Sequence, residues 1–353
     1  MSYVFKHYSK GSTQGSGSYV FRNYSEQVIP QVEPYITFSS PNSFTLITNN
    51  QSKGWDGTIE YSTDKTNWAT WDAKSISSGV DGNNNVLYIR GTNNTYIIGT
   101  NTSSYWRLNG SNISCIGNIE NLLDYQTVLQ GQHPPMASLC FTRLFMSSTS
   151  LVTAPELSAM TLSSSCYSVM FSGCTALTMA PELPATTLSS DCYNSMFKNC
   201  TGLINAPSKL PATVLEQSCY TEMFNGCTNL VTAPAISATT LAQSCCNAMF
   251  RNCSNLEQLP ALPATTITAF ACYYYMFYAC NKIKLSVLKT GNYQNAYRIP
   301  VTGTGTTQQG NMALDDMFTN TGGTFTGKPN INQTYYTSNA IVNADGTITP
   351  AIS

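Results

Sequence analysis

At 353 residues the chain has room for roughly two or three domains and for an apolar core that needs neither metal nor disulfide. Charged residues make up 10% of it and the formal net charge is −1, which leaves no basic footprint for nucleic acid or an anionic membrane. No stretch reaches the roughly 18 to 20 apolar residues of a membrane helix, and the opening lacks the apolar run of a signal peptide. The sequence thus reads as a protein made in the cytoplasm, without Sec export or membrane insertion.

Residues 1–32 hold a short internal repeat, Tyr3-Val-Phe-Lys-His-Tyr-Ser9 against Tyr19-Val-Phe-Arg-Asn-Tyr-Ser25, separated by a Gly/Ser-rich tether. They read as an extended arm whose aromatic anchors are Tyr3, Phe5, Tyr8, Tyr19, Phe21 and Tyr24.

Residues 33–117 alternate short β-prone runs with turn signals. Strands are expected at 35–39, 43–48, 58–61, 68–71, 86–90, 96–98, 105–108 and 113–116, a spacing that suits a β-sandwich. Trp55, Trp68, Trp71 and Trp106 all fall here and are expected in its core or rim. Residues 118–138 read as a linker or amino-terminal cap with a short helix near 118–125. The two histidines, His7 and His133, stand far apart, so neither a His-centred acid–base site nor a His-rich metal site is expected.

From 139 to 282 the chain is periodic. Phe145, Phe171, Phe197, Phe224, Phe250 and Phe277 lie 26, 26, 27, 26 and 27 residues apart. Such spacing marks a solenoid whose units bury their apolar faces on one another. The expected repeat core is Met170, Phe171, Cys174; Met196, Phe197, Cys200; Met223, Phe224, Cys227; Met249, Phe250, Cys253; and Met276, Phe277, Cys280. Cys166, Met170 and Cys174 at i, i+4 and i+8 predict a two-turn helix, and the proline-rich 177–184 a short strand. Helical spacing would hold each Cys pair too far apart for a disulfide, so the cysteines read as reduced core residues. The absence of a Cys-x-x-Cys or a nearby His speaks against zinc, and no cofactor is expected.

Residues 283–353 break the period with an insertion, then Met317-Phe318 and Phe325 offer a carboxy-terminal cap. The tail reads as a closing hairpin or an interaction segment. The fold class expected is mixed β and α/β: arm, Ig-like β-sandwich, leucine-rich-repeat solenoid of 26- to 27-residue coils, and cap.

The Phe-x-x-Cys-x-x-Leu core, as in Phe171-Ser-Gly-Cys-Thr-Ala-Leu177 and Phe224-Asn-Gly-Cys-Thr-Asn-Leu230, resembles the BspA-like leucine-rich repeats of gut Bacteroidales surface proteins. The variant Ala-Pro-Glu-Leu-Pro-Ala-Thr-Thr-Leu at 180–188, preceded by an Ig-like segment ending near Ser114-Cys-Ile-Gly-Asn-Ile-Glu-Asn-Leu-Leu123, is similar to proteins encoded by gut bacteriophages. The resemblance implies adhesion or decoration without enzymatic activity. Its expected form is a virion fibre or decoration protein on head or tail, joined by its arm to other virion proteins and meeting glycan, mucus or the host surface. A homo-oligomer, in the manner of a trimeric fibre, is expected. The alternative is a bacterial cell-surface adhesin. Glu156 and Glu182 recur at one repeat position, where copying of a structural unit accounts for them better than a catalytic pair does. A candidate ligand stripe consists of Tyr167, Tyr193, Tyr220, Tyr273, Tyr274 and Tyr275, although core packing competes for them.

Overall fold

The computed structural model describes residues 33–99, 104–300, 302–303 and 312–352, all within the unit Glu33–Ser353. The anchors Tyr3, Phe5, Tyr8, Tyr19, Phe21 and Tyr24 lie outside the described residues. Among the described residues the fold is β-rich with few helices, no closed barrel and no helix long and apolar enough to cross a membrane.

Nine strands build the first part: β1 (Ile36–Ser40), β2 (Thr45–Thr48), β3 (Thr58–Ser62), β4 (Ala69–Thr70), β5 (Ile76–Ser77), β6 (Gly79–Asp81), β7 (Asn84–Thr92), β8 (Trp106–Asn109) and β9 (Ile113–Ile116). One sheet runs β9-β1-β7-β3-β4 with β6 also on β7, and a second runs β5-β2-β8; all these pairs are antiparallel. Alternation explains β1: Ile36, Phe38 and Ser40 face inward while Thr37 and Ser39 are half-buried. The inner residues of both sheets join one core. The run expected as a strand at 96–98 instead turns so that the N–H groups of Ile97 and Ile98 reach the carbonyl of Cys140, 2.8 and 3.3 Å away.

α1 (Asn121–Leu129) is broken at Asp124, whose φ of −155° and ψ of 99° are non-helical. The Asp124 carboxylate accepts from the N–H of Gln126 and Thr127, at 3.0 and 3.3 Å, so it caps the second piece. The chain enters α1 across β7 at Gly91, where a Cβ would lie 1.6 Å from the Leu122 carbonyl oxygen. Only glycine fits there.

The repeat does not form the expected helices. In 163–174 the N–H groups of Cys166, Ser168, Met170, Ser172 and Cys174 bond three residues back, at 3.0–3.3 Å, giving a ribbon of overlapping β-turns. Ser165, Val169 and Gly173 have φ of +56°, +60° and +75°, which no helix allows. The intervening Ser165, Tyr167, Val169, Phe171 and Gly173 point their N–H groups at Ser190, Cys192, Asn194, Met196 and Lys198 of the next unit, at 2.8–2.9 Å. The ribbon recurs in later units, with positive φ at Asp191, Ser195 and Asn199 and at Ser218, Glu222 and Gly226. Bonds between units have replaced the i to i−4 bonds of a helix.

Inside the ribbon every core residue expected from the sequence is 0% exposed, from Met170, Phe171 and Cys174 to Met276, Phe277 and Cys280. The rings of Phe145, Phe171, Phe197, Phe224, Phe250 and Phe277 stack in sequence, with centroids 5.5–5.6 Å apart. Burying one such ring is worth roughly 1.5–3 kcal/mol. All thirteen cysteines are free and buried. The second of each pair donates its Sγ–H to the phenylalanine carbonyl of the preceding unit: Cys174 to Phe145, Cys200 to Phe171 and Cys227 to Phe197, at 3.0–3.1 Å. A thiol there fills core volume and bonds across units, which is why cysteine suits the position.

The opposite limb of each unit carries strands shorter than expected, because its prolines lack N–H donors. They are β10 (Leu151–Thr153), β11 (Lys209–Leu210), β12 (Ala235–Ile236), β13 (Gln258–Pro260) and β14 (Thr266–Ile267), with single parallel bridges at Met179, Asn205 and Thr232. β10 pairs parallel with β9, and Phe145 meets Trp106 and Phe38 edge-on at 6.3 and 6.1 Å, so the first part covers the first unit.

At the other end, β15 (Leu285–Ser286), β16 (Asn295–Arg298), β17 (Thr302–Gly303), β18 (Thr334–Thr337), β19 (Ala340–Val342) and β20 (Ile348–Thr349) close the stack. Phe318 continues the ring column 5.3 Å from Phe277, and Tyr297 and Phe325 meet it edge-on. The tail is a hairpin: β19 pairs parallel with β13 and antiparallel with β20.

Candidate functional site

Each unit repeats its inward positions and varies its outward ones. Counted from the core phenylalanine, positions +1 and −2 of adjoining units stand on the turn ribbon, buried at Ser195, Asn225 and Ala248 and half-exposed in the other units. At one junction these are Lys198 and Glu222, joined Nζ to Oε2 at 2.6 Å. At another they are Arg251 and Tyr275, with the guanidinium 5.1 Å from the ring centroid. The same backbone geometry thus brings a cation onto a carboxylate in one place and onto an aromatic face in another.

Around Arg251 the structure assembles a platform. Its guanidinium also lies 5.1 Å from the Tyr278 ring, Tyr275 and Tyr278 meet edge-on at 5.1 Å, and Tyr274 packs on Tyr275 at 4.0 Å. Asn320 Nδ2 donates to the Tyr278 hydroxyl at 3.1 Å. Tyr274, Tyr275 and Tyr278 are half-buried. The hydrogen bond with Tyr274, with desolvation and the charge of Asp316 behind it, pushes the Tyr275 hydroxyl up to about 12, so it stays a neutral donor and acceptor. Arg251 Nε has no hydrogen-bond partner among the described residues. Clustered phenols and a guanidinium suit the apolar face and hydroxyls of a sugar ring.

Of the tyrosine stripe expected from the sequence, Tyr274 and Tyr275 belong to this platform. Tyr167, Tyr193, Tyr220 and Tyr273 do not: they are 1–2% exposed, and the first three stack at 5.9 Å as a second internal column. They follow the first cysteine of each unit, a position that the ribbon turns inward. Burial pushes their hydroxyls far above the ordinary tyrosine range. Arg251 and Tyr278 were not singled out by sequence. The signal was there in register, since both stand one residue after a core phenylalanine.

Glu182 has hydrogen-bond partners of its own. Its carboxylate accepts from the Ser208 N–H at 3.0 Å and from Ser208 Oγ at 2.6 Å, a tie to the next unit. On the other edge Thr186, Thr187, Thr213, Thr239, Thr240, Thr265 and Thr266 are exposed, giving a neutral, hydroxyl-bearing strip. Among the described residues no group of three or more His, Cys, Asp and Glu side chains is placed to hold a metal ion.

No protein-family model matches the chain, and neither the curated proteins nor the solved structures contain a match.

Proposed function

We propose that this chain is a non-enzymatic structural protein of a bacteriophage virion, a head or tail fibre or decoration that presents a repeat-built surface to glycan, mucus or the host envelope. In this reading the two sheets are an Ig-like sandwich that carries a BspA-like leucine-rich-repeat solenoid. The 1–32 arm joins it to other virion proteins, and copies associate, in threes as fibres do.

One observation carries the proposal: on a core that recurs from unit to unit, the same pair of ribbon positions holds Lys198 and Glu222 at one junction and Arg251 and Tyr275 at another. A scaffold that holds geometry constant and varies surface chemistry suits recognition. The Arg251, Tyr274, Tyr275 and Tyr278 platform is the place assigned to the ligand.

Gold labelling of purified phage particles with an antibody against the repeat tests this reading by electron microscopy. Label at defined sites on head or tail is expected. Label confined to bacterial cells, with bare particles, would replace it with a cell-surface adhesin.

A further inference from the structure

Between α1 and the first repeat lies a cavity of about 290 Å3 lined by Glu120, His133, Pro134, Pro135, Met136 and Met160. Glu120 is 1% exposed. Its Oε2 accepts from Ser158 Oγ at 2.5 Å and lies 2.8 Å from His133 Nδ1. Its Oε1 is buried with no hydrogen-bond partner among the described residues. Burial keeps Tyr167 and Cys140, whose ionisation would feel Glu120, neutral, and among the described residues the side chains that touch this carboxylate are His133 and Ser158. A carboxylate taken out of water with an oxygen unpaired is costly, and a cation delivered to that oxygen would offset the cost.

We propose that this cavity binds a primary alkylammonium group, with the ammonium on Glu120 Oε1 and its carbon stem along Pro134, Met136 and Met160. The chemistry of the walls selects it. A guanidinium needs both carboxylate oxygens for its paired bonds, and Oε2 is already taken by Ser158 and His133. A divalent cation needs several oxygen ligands, and beyond Glu120 the lining side chains offer only the hydroxyls of Thr161 and Ser163, the latter already bonded to the Met136 carbonyl. An ammonium is a compact charge with three donors that one free oxygen can anchor, and methionine and proline walls suit methylene groups. Two sources carry this chemistry, a lysine side chain of a partner protein and a free aliphatic diamine.

The chain has two histidines, so a His7→Gln background leaves the His133 ring as a single NMR reporter beside the site. At pH 8, n-butylammonium is expected to shift the His133 Hε1 resonance saturably, and n-butanol, its neutral analogue, to leave it in place. Glu120→Gln should weaken binding by at least about tenfold, the loss of one charge-assisted hydrogen bond. Met160→Trp should do the same by filling the cavity from a 44% exposed position without touching the carboxylate, which keeps the test open if Glu120→Gln does not fold. Tighter binding of Nα-acetyl-lysine methylamide than of putrescine assigns the site to a protein side chain, and the reverse to a free diamine; either supports the site. A shift that does not saturate, that n-butanol reproduces, or that survives unchanged in Met160→Trp overturns the proposal.

Discussion

Phe224→Ala isolates what holds the units together. The ring is fully buried and has a neighbour on each face, Phe197 and Phe250, both at 5.5 Å. The main-chain bond from its N–H to the Met249 carbonyl, 2.9 Å, would survive the substitution, so the loss is that of the side chain alone. Removing a buried phenylalanine costs about 3–5 kcal/mol, and here both flanking rings lose a face, which places the expectation near 4 kcal/mol. Because each unit bonds only to its neighbours, the defect should also loosen coupling between the units before and after it. The four tryptophans all lie in the first part of the chain, so urea unfolding followed by tryptophan fluorescence and by far-UV circular dichroism reads the two sides separately. The circular dichroism midpoint should fall further than the fluorescence midpoint. Coincident curves shifted by less than about 1 kcal/mol would refute ring stacking as the source of cohesion.

Further expectations rest on other parts of the stack. Gly173 and Gly226 have φ of +75° and +78°, but an added Cβ would meet nothing closer than 3.4 Å at the first and Asn199 Oδ1 at 2.3 Å at the second. Gly173→Ala should therefore cost about 1–2 kcal/mol of backbone strain and Gly226→Ala measurably more, by paired denaturant titrations; equal losses would show that Asn199 yields freely. Burial pushes the thiols of Cys200 and Cys280 up to about 12, so a disulfide reagent at pH 8 should label the native chain only at its unfolding rate, and labelling of these two within seconds would contradict their placement. Burial alone would raise Glu222, but the hydrogen bond and charge of Lys198, with Asn225 and Ser195, hold its pKa below the usual range. Its stabilising contribution is thus present above the unfolded carboxylate value and lost as the pH falls through the lowered folded one. Glu222→Gln should flatten that acid limb at a cost under about 1 kcal/mol at neutral pH, and an unchanged limb would remove Glu222 as its cause. Tyr275→Ala and Arg251→Ala, half-exposed and away from the ring column, should leave stability nearly unchanged and abolish glycan retention on an array if the platform is the ligand surface.

The period and the core were legible because burial imposes them residue by residue: every Met, Phe and Cys named from the repeat is inside. The helix was not, and the misreading has a physical source. Apolar residues at i, i+4 and i+8 fit a helix loosely, whereas a ribbon of overlapping turns repeats every four residues without drift. The distinguishing mark is at the second residue after each core phenylalanine, where Gly173, Asn199, Gly226 and Asn252, and at the two ends Ser147 and Ala279, take positive φ. Glycine and asparagine adopt it most readily. The bonds that make this backbone affordable run between units, which one repeat read alone cannot display. The same blindness hid the carboxylate pocket, since Glu120 and His133 are thirteen residues apart, on either side of α1, and only the fold brings them together.

The turn ribbon also acts as a ruler. In five units its two cysteines are eight residues apart without exception, while the gap to the next unit is eighteen or nineteen. Every additional residue is therefore taken up on the proline-rich limb. Duplicating or deleting a whole unit would move the two ends of the stack apart or together by about one strand spacing, ~4.8 Å, and leave each remaining junction as it was. Length is adjustable in fixed increments, and recombination between copies changes it without altering a single core residue.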